Sequence, residues 1–289
     1  MGQTTTTGTP RQPMTVKRQI KRLAFLLAGA YVMFALIAAF FSERLLFRPH
    51  ASSYRDSAEI IKLTTSDGVR ISALHLTNPA ARYTILHSHG NGEDMGDDRD
   101  IYRRICRAGF NVLAYDYHGY GTSGGSPCER SAYADIDAAY AYLTTQLGIP
   151  PEQIILYGRS VGGGPATDLA TRQPVAGLIL ESAFVSAFRT AVRVPLLPWD
   201  KFKNLAKLPA VRCPILVIHG EDDMIVPAWH GHRLYKAAPG EKQCLWVPGA
   251  GHNDLIDVVD ARYDKALQNF ASLIEHAKSP TLTTTDASP

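Results

Sequence analysis

The longest uninterrupted apolar stretch of the chain runs from Leu23 to Phe41 and contains no charged residue. An α-helix rises about 1.5 Å per residue, so this stretch spans roughly 28 Å, close to the thickness of the hydrocarbon core of a bilayer. The apolar region of a signal peptide usually has only about 7–15 residues and is followed by small residues, whereas Phe40 and Phe41 end this stretch. The pattern predicts an uncleaved transmembrane anchor over residues 20–42. A signal peptide and a buried helix of a soluble domain are the alternatives.

A second pattern begins at residue 83, where short apolar runs alternate with amphipathic segments. The apolar runs predict strands over 83–87, 111–115, 153–157, 175–180, 214–219 and 243–247. The segments between them predict helices over 100–108, 131–147, 164–172, 229–238 and 256–277. Continuously apolar strands separated by helices are typical of a mostly parallel sheet covered by helices on both faces.

Two further segments complete the predicted domain, which covers residues 59–278. Residues 59–65 and 69–76 read as an antiparallel hairpin around the turn 66–68. Residues 182–210 are irregular and contain several prolines, which indicates a short insertion between two strands, in the position of a lid.

The flanking segments differ from the domain in composition. Residues 1–19 are rich in Thr, Gln and Pro and carry basic residues, and residues 279–289 are rich in Thr, Ser and Pro, so both are predicted to be disordered tails. Residues 43–58 are predicted to be a linker. More basic residues precede the apolar stretch than follow it, which favours a cytoplasmic N-terminus and a single-pass protein with its domain on the opposite side of the membrane. The preceding ones are Arg11, Lys17, Arg18, Lys21 and Arg22, and the following ones are Arg44 and Arg48.

Charge and cysteine content narrow the function classes. The formal net charge is +3, which is too small to indicate a nucleic-acid partner. The four cysteines have no C-x-x-C spacing, so a zinc or redox site is not indicated, and a disulfide among them stays open. The sequence indicates neither a metal nor a cofactor, and it does not indicate an oligomeric state.

A serine in a glycine-rich turn is the clearest chemical feature. The apolar run that ends at Gly158 is followed by Arg159, Ser160, Val161 and Gly162, and a helical segment comes next. This is the Gly-x-Ser-x-Gly pattern in a strand–turn–helix context, known as the nucleophile elbow. Glycines suit the positions around the serine because strand and helix approach each other closely there. Ser160 is therefore the candidate nucleophile.

A serine hydroxyl needs a base within reach, and the base needs a group that orients it. His252 lies on a glycine-rich loop after the last predicted strand and is the candidate base. The preceding strand ends in a loop that contains Asp222 and Asp223. Asp223 and Asp222 are the candidates for the orienting acid. The order Ser, Asp, His along the chain is the one expected of an α/β-hydrolase.

An oxyanion hole needs two backbone donors near the serine. The N–H of Val161, directly after the nucleophile, is one candidate. The other is the N–H of Asn91, in the loop His89-Gly90-Asn91-Gly92 that follows a predicted strand. His87 and His89 lie nearby, but they lack further ligands at suitable spacing and are interpreted as loop-supporting residues.

Six stretches in a fixed order resemble the serine hydrolases of the α/β-hydrolase superfamily. The sequence is most similar to their Bem46-like group, which includes α/β-hydrolase domain-containing proteins 17 and 13. The matching stretches are His89-Gly90-Asn91, residues 115–121, residues 133–139, residues 154–160, His219-Gly220-x-x-Asp223 and residues 249–254. The resemblance implies an α/β-hydrolase fold with Ser160 as nucleophile, Asp223 as triad acid and His252 as base.

Two departures limit what the resemblance carries over. The depalmitoylases of domain-17 type have an N-terminal cysteine cluster for lipid attachment, whereas this chain has no cysteine before Cys106 and has an apolar anchor instead. Arg159 stands where the group usually has Gln before the nucleophile. Protein depalmitoylation is therefore not carried over as the expected reaction.

The sequence thus predicts a membrane-anchored serine hydrolase that cleaves ester or thioester acyl groups through an acyl-enzyme, with lipid-like substrates among the candidates. A serine aminopeptidase-like peptidase and a non-catalytic, membrane-tethered binding protein are the alternatives. Apolar residues of the insertion are candidates for an acyl-binding wall or for a loop that merely covers the core. They are Val194, Leu196, Leu197 and Trp199.

Overall fold

The computed structural model describes residues 16–278 and divides the chain into two units, one ending at Ser42 and one beginning at Glu43. The first unit contains most of helix α1, Val16–Leu46. An 18-residue window of this helix has a mean hydropathy of 2.4 and no buried residue, so the helix is long and apolar enough to cross a membrane. It begins inside the segment predicted as a disordered tail (1–19), because Val16 to Ile20 include neither Gly nor Pro. The rest of that tail and the predicted tail 279–289 lie outside the described residues.

The second unit is built on an eight-stranded sheet. Its strands are β1 (Ile60–Thr64), β2 (Arg70–Leu76), β3 (Thr84–Ser88), β4 (Asn111–Tyr115), β5 (Ile154–Arg159), β6 (Gly177–Glu181), β7 (Ile215–Gly220) and β8 (Lys242–Val247). The order across the sheet is β1-β2-β4-β3-β5-β6-β7-β8. Strand β2 pairs antiparallel with β1 and β4, and all other neighbours are parallel. The predicted mostly parallel sheet with a leading hairpin is confirmed.

Helices cover both faces of this sheet. They are α2 (Arg99–Arg107), α3 (Glu129–Ala141), α4 (Gly163–Arg172), α5 (Asn204–Lys207), α6 (Trp229–Ala237), α7 (Leu255–Val259) and α8 (Ala261–Lys278). Successive side chains of a strand point to opposite faces, so Leu156 joins the core beneath α3, α4 and α6, while Ile155 and Tyr157 join the core beneath α2 and α8. The chain therefore has the predicted α/β-hydrolase fold.

The predicted closing helix over 256–277 is wrong in one respect, because the structure breaks it at Asp260. This residue has a φ of 48°, in the left-handed region that a helix cannot accommodate. Its carbonyl accepts a hydrogen bond from the Arg104 guanidinium of α2, and the same guanidinium lies 2.8 Å from Asp264. The break follows from a contact between residues far apart in sequence.

The segment predicted as a linker (43–58) packs against the rest of the second unit. Phe47 is buried, and its ring makes edge contacts with Tyr117, Tyr120 and Phe202 at 6.0–6.5 Å between ring centroids. Further along, the Ser53 N–H donates to Asp94 at 2.8 Å. The polar composition of the segment conceals these anchoring contacts.

Candidate active site

The candidate residues meet at one edge of the sheet. The segments that follow β3, β5, β7 and β8 carry Asn91, Ser160, Asp223 and His252, respectively. These four strands are parallel, so their carboxyl ends lie at the same edge, where α/β proteins form their sites.

Ser160 occupies the strained turn that the glycine pattern predicts. Its φ is 52°, a conformation that costs free energy for a residue with a Cβ atom. A Cβ atom on Gly158 would lie 2.4 Å from the Gly162 carbonyl oxygen, and one on Gly162 would lie 2.1 Å from the Ser88 carbonyl oxygen. Both glycines are therefore required by close backbone contacts, and the turn places the serine hydroxyl between β5 and α4.

The structure brings Ser160, His252 and Asp223 into one hydrogen-bonded chain. The Ser160 Oγ lies 3.1 Å from His252 Nε2, and His252 Nδ1 lies 2.7 Å from Asp223 Oδ2. An ionised carboxylate only accepts hydrogen bonds, so Nδ1 carries the proton of the neutral imidazole and Nε2 is free to accept one from the serine. This arrangement has the geometry of a serine-hydrolase triad.

The Asp223 carboxylate is fixed on its other side by backbone groups. Its Oδ1 accepts hydrogen bonds from the N–H groups of Ile225 at 2.9 Å and Val226 at 2.7 Å. Burial alone would raise the pKa of Asp223, but the hydrogen bond and charge of His252 and the Val226 N–H lower this pKa below its usual value. Asp222, the alternative acid, is exposed to solvent, and the hydrogen bonds to His252 and the two N–H groups involve Asp223.

The two candidate oxyanion donors lie on segments that are held firmly. Val161 is buried in the first turn after Ser160. The Asn91 side chain accepts hydrogen bonds from the Arg48 N–H at 2.8 Å and from the Tyr120 hydroxyl at 2.8 Å. Within residues 16–278, no hydrogen-bond partner is found for the backbone N–H of Asn91. The side-chain hydrogen bonds thus position Asn91, and its backbone N–H is available to donate to an oxygen of a substrate.

Three charged residues at this edge of the sheet form an ion-pair group that the sequence does not predict. They are Arg159, which the sequence marks only as a departure from the related group, and the two carboxylates Glu93 and Glu181. The Arg159 guanidinium pairs with both carboxylates. The available signal was the position of Arg159 and Glu181, since each stands at the carboxyl end of an otherwise apolar, buried strand.

Within the insertion 182–210, two hydrogen bonds close the base of the loop between Ser186 and Lys201. The Ala187 N–H donates to the Lys201 carbonyl at 2.9 Å, and Asp200 accepts from the Ser186 hydroxyl at 2.7 Å. Of the four candidate acyl-wall residues, Val194 and Leu196 are exposed and Leu197 and Trp199 are half-buried. These four residues take no part in the hydrogen bonds among Ser160, His252 and Asp223, and their role in binding an acyl group stays a prediction.

The histidines near the site have structural surroundings. His87 lies between the rings of Tyr102 and Tyr157, and burial holds its pKa well below the usual range. Burial also lowers the pKa of His89 to about 4, and its Nδ1 lies 2.8 Å from the Gly90 carbonyl oxygen. These contacts agree with the interpretation of both residues as loop supports.

Among the described residues, one group has the spacing of metal ligands, namely His50, Asp94 and Asp97, whose ligand atoms lie within 4.8 Å of one another. Asp94 accepts hydrogen bonds from the Ser53 and Gly96 N–H groups and the Ser53 hydroxyl, so its oxygens already have partners. The four cysteines are unpaired thiols.

Comparisons with known proteins place this geometry in a family. The sequence model of the family described as serine aminopeptidase, S33, matches residues 79–208. The human α/β hydrolase domain-containing protein 17B is 38% identical over 227 residues, which cover 77% of this chain and 78% of that protein. The chain belongs to the α/β-hydrolase family. The Caenorhabditis elegans α/β hydrolase domain-containing protein aho-3 is 42% identical over 212 residues, and the match spans 63% of its length.

Solved structures show the same fold. The Pyrococcus furiosus esterase Pf2001 superposes with a TM-score of 0.65 over 78% of this chain and 98% of the esterase, at 19% identity. The Paleococcus ferrophilus monoacylglycerol lipase gives a TM-score of 0.56 over 71% of this chain and 99% of the lipase, at 20% identity. The resemblance to the related group and the fold expected from it are therefore confirmed, and family and fold neighbours together support a hydrolase.

Proposed function

We propose that this α/β-hydrolase is a membrane-anchored serine hydrolase that cleaves carboxylic ester or thioester acyl groups through an acyl-enzyme. The observation that carries the proposal is the pair of hydrogen bonds that links Ser160 to His252 and His252 to Asp223. The Ser160 Oγ lies 3.1 Å from His252 Nε2, His252 Nδ1 lies 2.7 Å from Asp223 Oδ2, and Ser160 has a φ of 52°. A strained residue is retained only where the surrounding structure over-determines it, which is common at active sites.

The proposed reaction has two steps. The Ser160 Oγ attacks the substrate carbonyl while His252 Nε2 takes its proton, and the Asp223 carboxylate stabilises the resulting imidazolium. The negative oxygen of the tetrahedral intermediate accepts hydrogen bonds from the Val161 and Asn91 N–H groups. Collapse of the intermediate transfers the His252 proton to the departing alcohol or thiol. Water, deprotonated by His252, then attacks the acyl-enzyme; the bond between the acyl carbon and Ser160 Oγ breaks, His252 returns the proton to Ser160 Oγ, and the carboxylic acid is released.

Peptide hydrolysis is the second candidate, favoured by the match to the serine aminopeptidase family. An aminopeptidase needs a free carboxylate near the serine to bind the substrate's ammonium group. Glu93 is the acidic residue nearest in sequence to Asn91, but its charge is engaged by Arg159, and its Oε2 accepts from the Gly90 N–H at 3.0 Å. An engaged carboxylate is a poor ligand for a second cation, so we favour acyl esters.

The insertion supports an apolar acyl group as the part of the substrate that is recognised. Val194 is 59% exposed and Leu196 47% exposed, and half-buried Leu197 and Trp199 lie on the same short loop. We propose that these four residues form the acyl-binding wall. Helix α1 is proposed as the membrane anchor, and the excess of basic residues before its apolar stretch Leu23–Phe41 favours a domain on the non-cytoplasmic side.

The test compares p-nitrophenyl esters, acyl thioesters and aminoacyl-anilides as substrates of the full-length protein in detergent, with Ser160→Ala as the control. We expect ester and thioester turnover that increases from acetyl to longer acyl chains and is lost in the control. Faster hydrolysis of anilides than of esters would instead support a peptidase. Binding of acyl compounds without turnover of any substrate would support the non-catalytic alternative.

The membrane side is tested separately by fusing a reporter to the C-terminus. A reporter that is active only outside the cytoplasm should be active, whereas activity of a reporter restricted to the cytoplasm would contradict the proposed orientation.

A further inference from the structure

Arg159 precedes the proposed nucleophile and reaches three segments of the site from a buried position. The residue is 7% exposed at the end of β5. Its Nη2 donates to the His252 carbonyl oxygen and to the Asn253 side-chain oxygen, each at 3.2 Å. Its Nη1 pairs with Glu93, and its Nε lies 3.3 Å from Glu181. One guanidinium therefore joins the serine strand to the histidine loop and to two carboxylates.

Glu93 extends this connection to the proposed oxyanion hole. One carboxylate oxygen faces Arg159 and the other accepts a hydrogen bond from the Gly90 N–H at 3.0 Å. Gly90 directly precedes Asn91, the proposed oxyanion donor. A Cβ atom on Gly90 would lie 2.7 Å from Arg159 Nη1, so the glycine makes room for the guanidinium. The orientation of the Asn91 peptide is thus tied to Arg159 through one carboxylate.

Glu181 supplies the charge that keeps the guanidinium in place. It is 1% exposed at the end of β6, and the Tyr157 hydroxyl donates a hydrogen bond to it. A buried ion needs both an opposite charge and hydrogen bonds, and removal of one partner leaves an uncompensated charge. The planar guanidinium donates in several fixed directions at once, which neither a lysine nor a glutamine can reproduce.

We propose that Arg159 is a positioning residue for acyl transfer, which holds the His252 loop and the Asn91 loop in register with Ser160. The inference rests on the proposed function and assigns Arg159 no contact with substrate. Its effect is transmitted through the His252 carbonyl on one side and through Glu93 and the Gly90 peptide on the other.

The test measures ester turnover, the rate of labelling by a fluorophosphonate, and thermal stability in three variants of the full-length protein, Arg159→Gln, Arg159→Lys and Glu93→Gln. We expect kcat and the labelling rate of Arg159→Gln to fall about 10- to 100-fold while KM stays within about threefold, because binding energy realised only in the transition state is lost. Arg159→Lys should be intermediate. Arg172→Gln is the matched control, since Arg172 also pairs with two carboxylates, Asp137 and Asp168, but on the surface.

The division of the loss between kcat and KM separates positioning from general stabilisation. Arg159 acts through the His252 carbonyl and through Glu93, and the proposal gives it no contact with substrate. Glu93→Gln should therefore lower kcat while KM is kept, as in Arg159→Gln. The double variant should lose less than the product of the two single losses, because both residues act through one network.

The outcomes are distinct for the inference and for the proposed function. Unchanged kcat and labelling rate in Arg159→Gln, with only a lower thermal midpoint, would reduce Arg159 to a structural ion pair and overturn the inference. If Arg159→Gln does not fold, unchanged rates in Arg159→Lys and Glu93→Gln would overturn it equally. Absence of fluorophosphonate labelling in the wild-type protein would instead contradict the proposed function.

Discussion

The substitution Asp223→Asn isolates the orienting role of the carboxylate, because the structure determines how the introduced amide would sit. Two backbone N–H groups, from Ile225 and Val226, donate to Oδ1 at 2.9 Å and 2.7 Å. The amide oxygen would take this position, since an NH₂ group there would face two donors. The NH₂ group would then point at His252 Nδ1, which must become an acceptor.

This change of tautomer removes the base without removing the histidine. With Nδ1 as acceptor, the single proton of the neutral ring sits on Nε2 and faces the Ser160 hydroxyl, which then has no group to take its proton. The corresponding substitution in serine proteases lowers kcat about ten-thousand-fold, equivalent to about 5.4 kcal/mol of transition-state stabilisation. We expect a loss of similar size here, with little change in KM.

The assay is steady-state hydrolysis of a p-nitrophenyl ester, with circular dichroism to show that the variant is folded. Asp222→Asn is the matched control, because Asp222 is the adjacent carboxylate and is exposed. It should retain wild-type activity. The reasoning is refuted if Asp223→Asn keeps more than about a tenth of the wild-type kcat, or if Asp222→Asn loses as much activity as Asp223→Asn.

Three further predictions concern the surroundings of the triad. Gly162→Ala would place a Cβ atom 2.1 Å from a backbone oxygen of β3, so it should lower the free energy of unfolding by about 1–3 kcal/mol and abolish ester turnover. Gly124→Ala is the control, because its Cβ atom would lie 3.5 Å from the nearest atom, and it should have neither effect. Burial raises the pKa of Asp116 from 3.8 to about 7, so its contribution to stability is present below pH 3.8 and is lost as the pH rises through about 7. Asp116→Asn should therefore flatten the fall of the thermal midpoint between about pH 4 and 7, and an unchanged slope would contradict this assignment. Arg48→Pro removes the N–H that donates to the Asn91 side chain and should lower kcat about fivefold, the equivalent of one hydrogen bond of about 1 kcal/mol. Arg48→Ala keeps this N–H and should leave kcat unchanged; equal effects of the two substitutions would show that this hydrogen bond does not act on the reaction.

The fold and the serine turn could be predicted because their determinants are local. Continuous apolar strands and alternating helices specify the sheet, and the Gly-x-Ser-x-Gly pattern specifies the turn, although the contact that requires Gly162 is with Ser88 of β3. The family resemblance predicts Asp223 over Asp222, and the structure adds a physical reason, since the N–H groups of Ile225 and Val226 in the loop after β7 donate to the carboxylate of Asp223.

Features that depend on contacts distant in sequence could not be predicted. The Arg159 network joins residues separated by 22 to 94 positions, as shown by its contacts with Glu181 and Asn253. The break at Asp260 depends on Arg104 from another helix, and the burial of Phe47 depends on rings from two other segments. Asp260 and Phe47 look ordinary in their local sequence.

The central claim is that Ser160 is the nucleophile, and the most direct measurement is the site of covalent modification by a fluorophosphonate. The full-length wild-type protein and Ser160→Ala are treated in parallel, digested and analysed by mass spectrometry. The account predicts one phosphonylated peptide in the wild-type protein, with the adduct on Ser160, and no adduct in the variant. Equal labelling of Ser160→Ala, or an adduct on another residue of the wild-type protein, would contradict it.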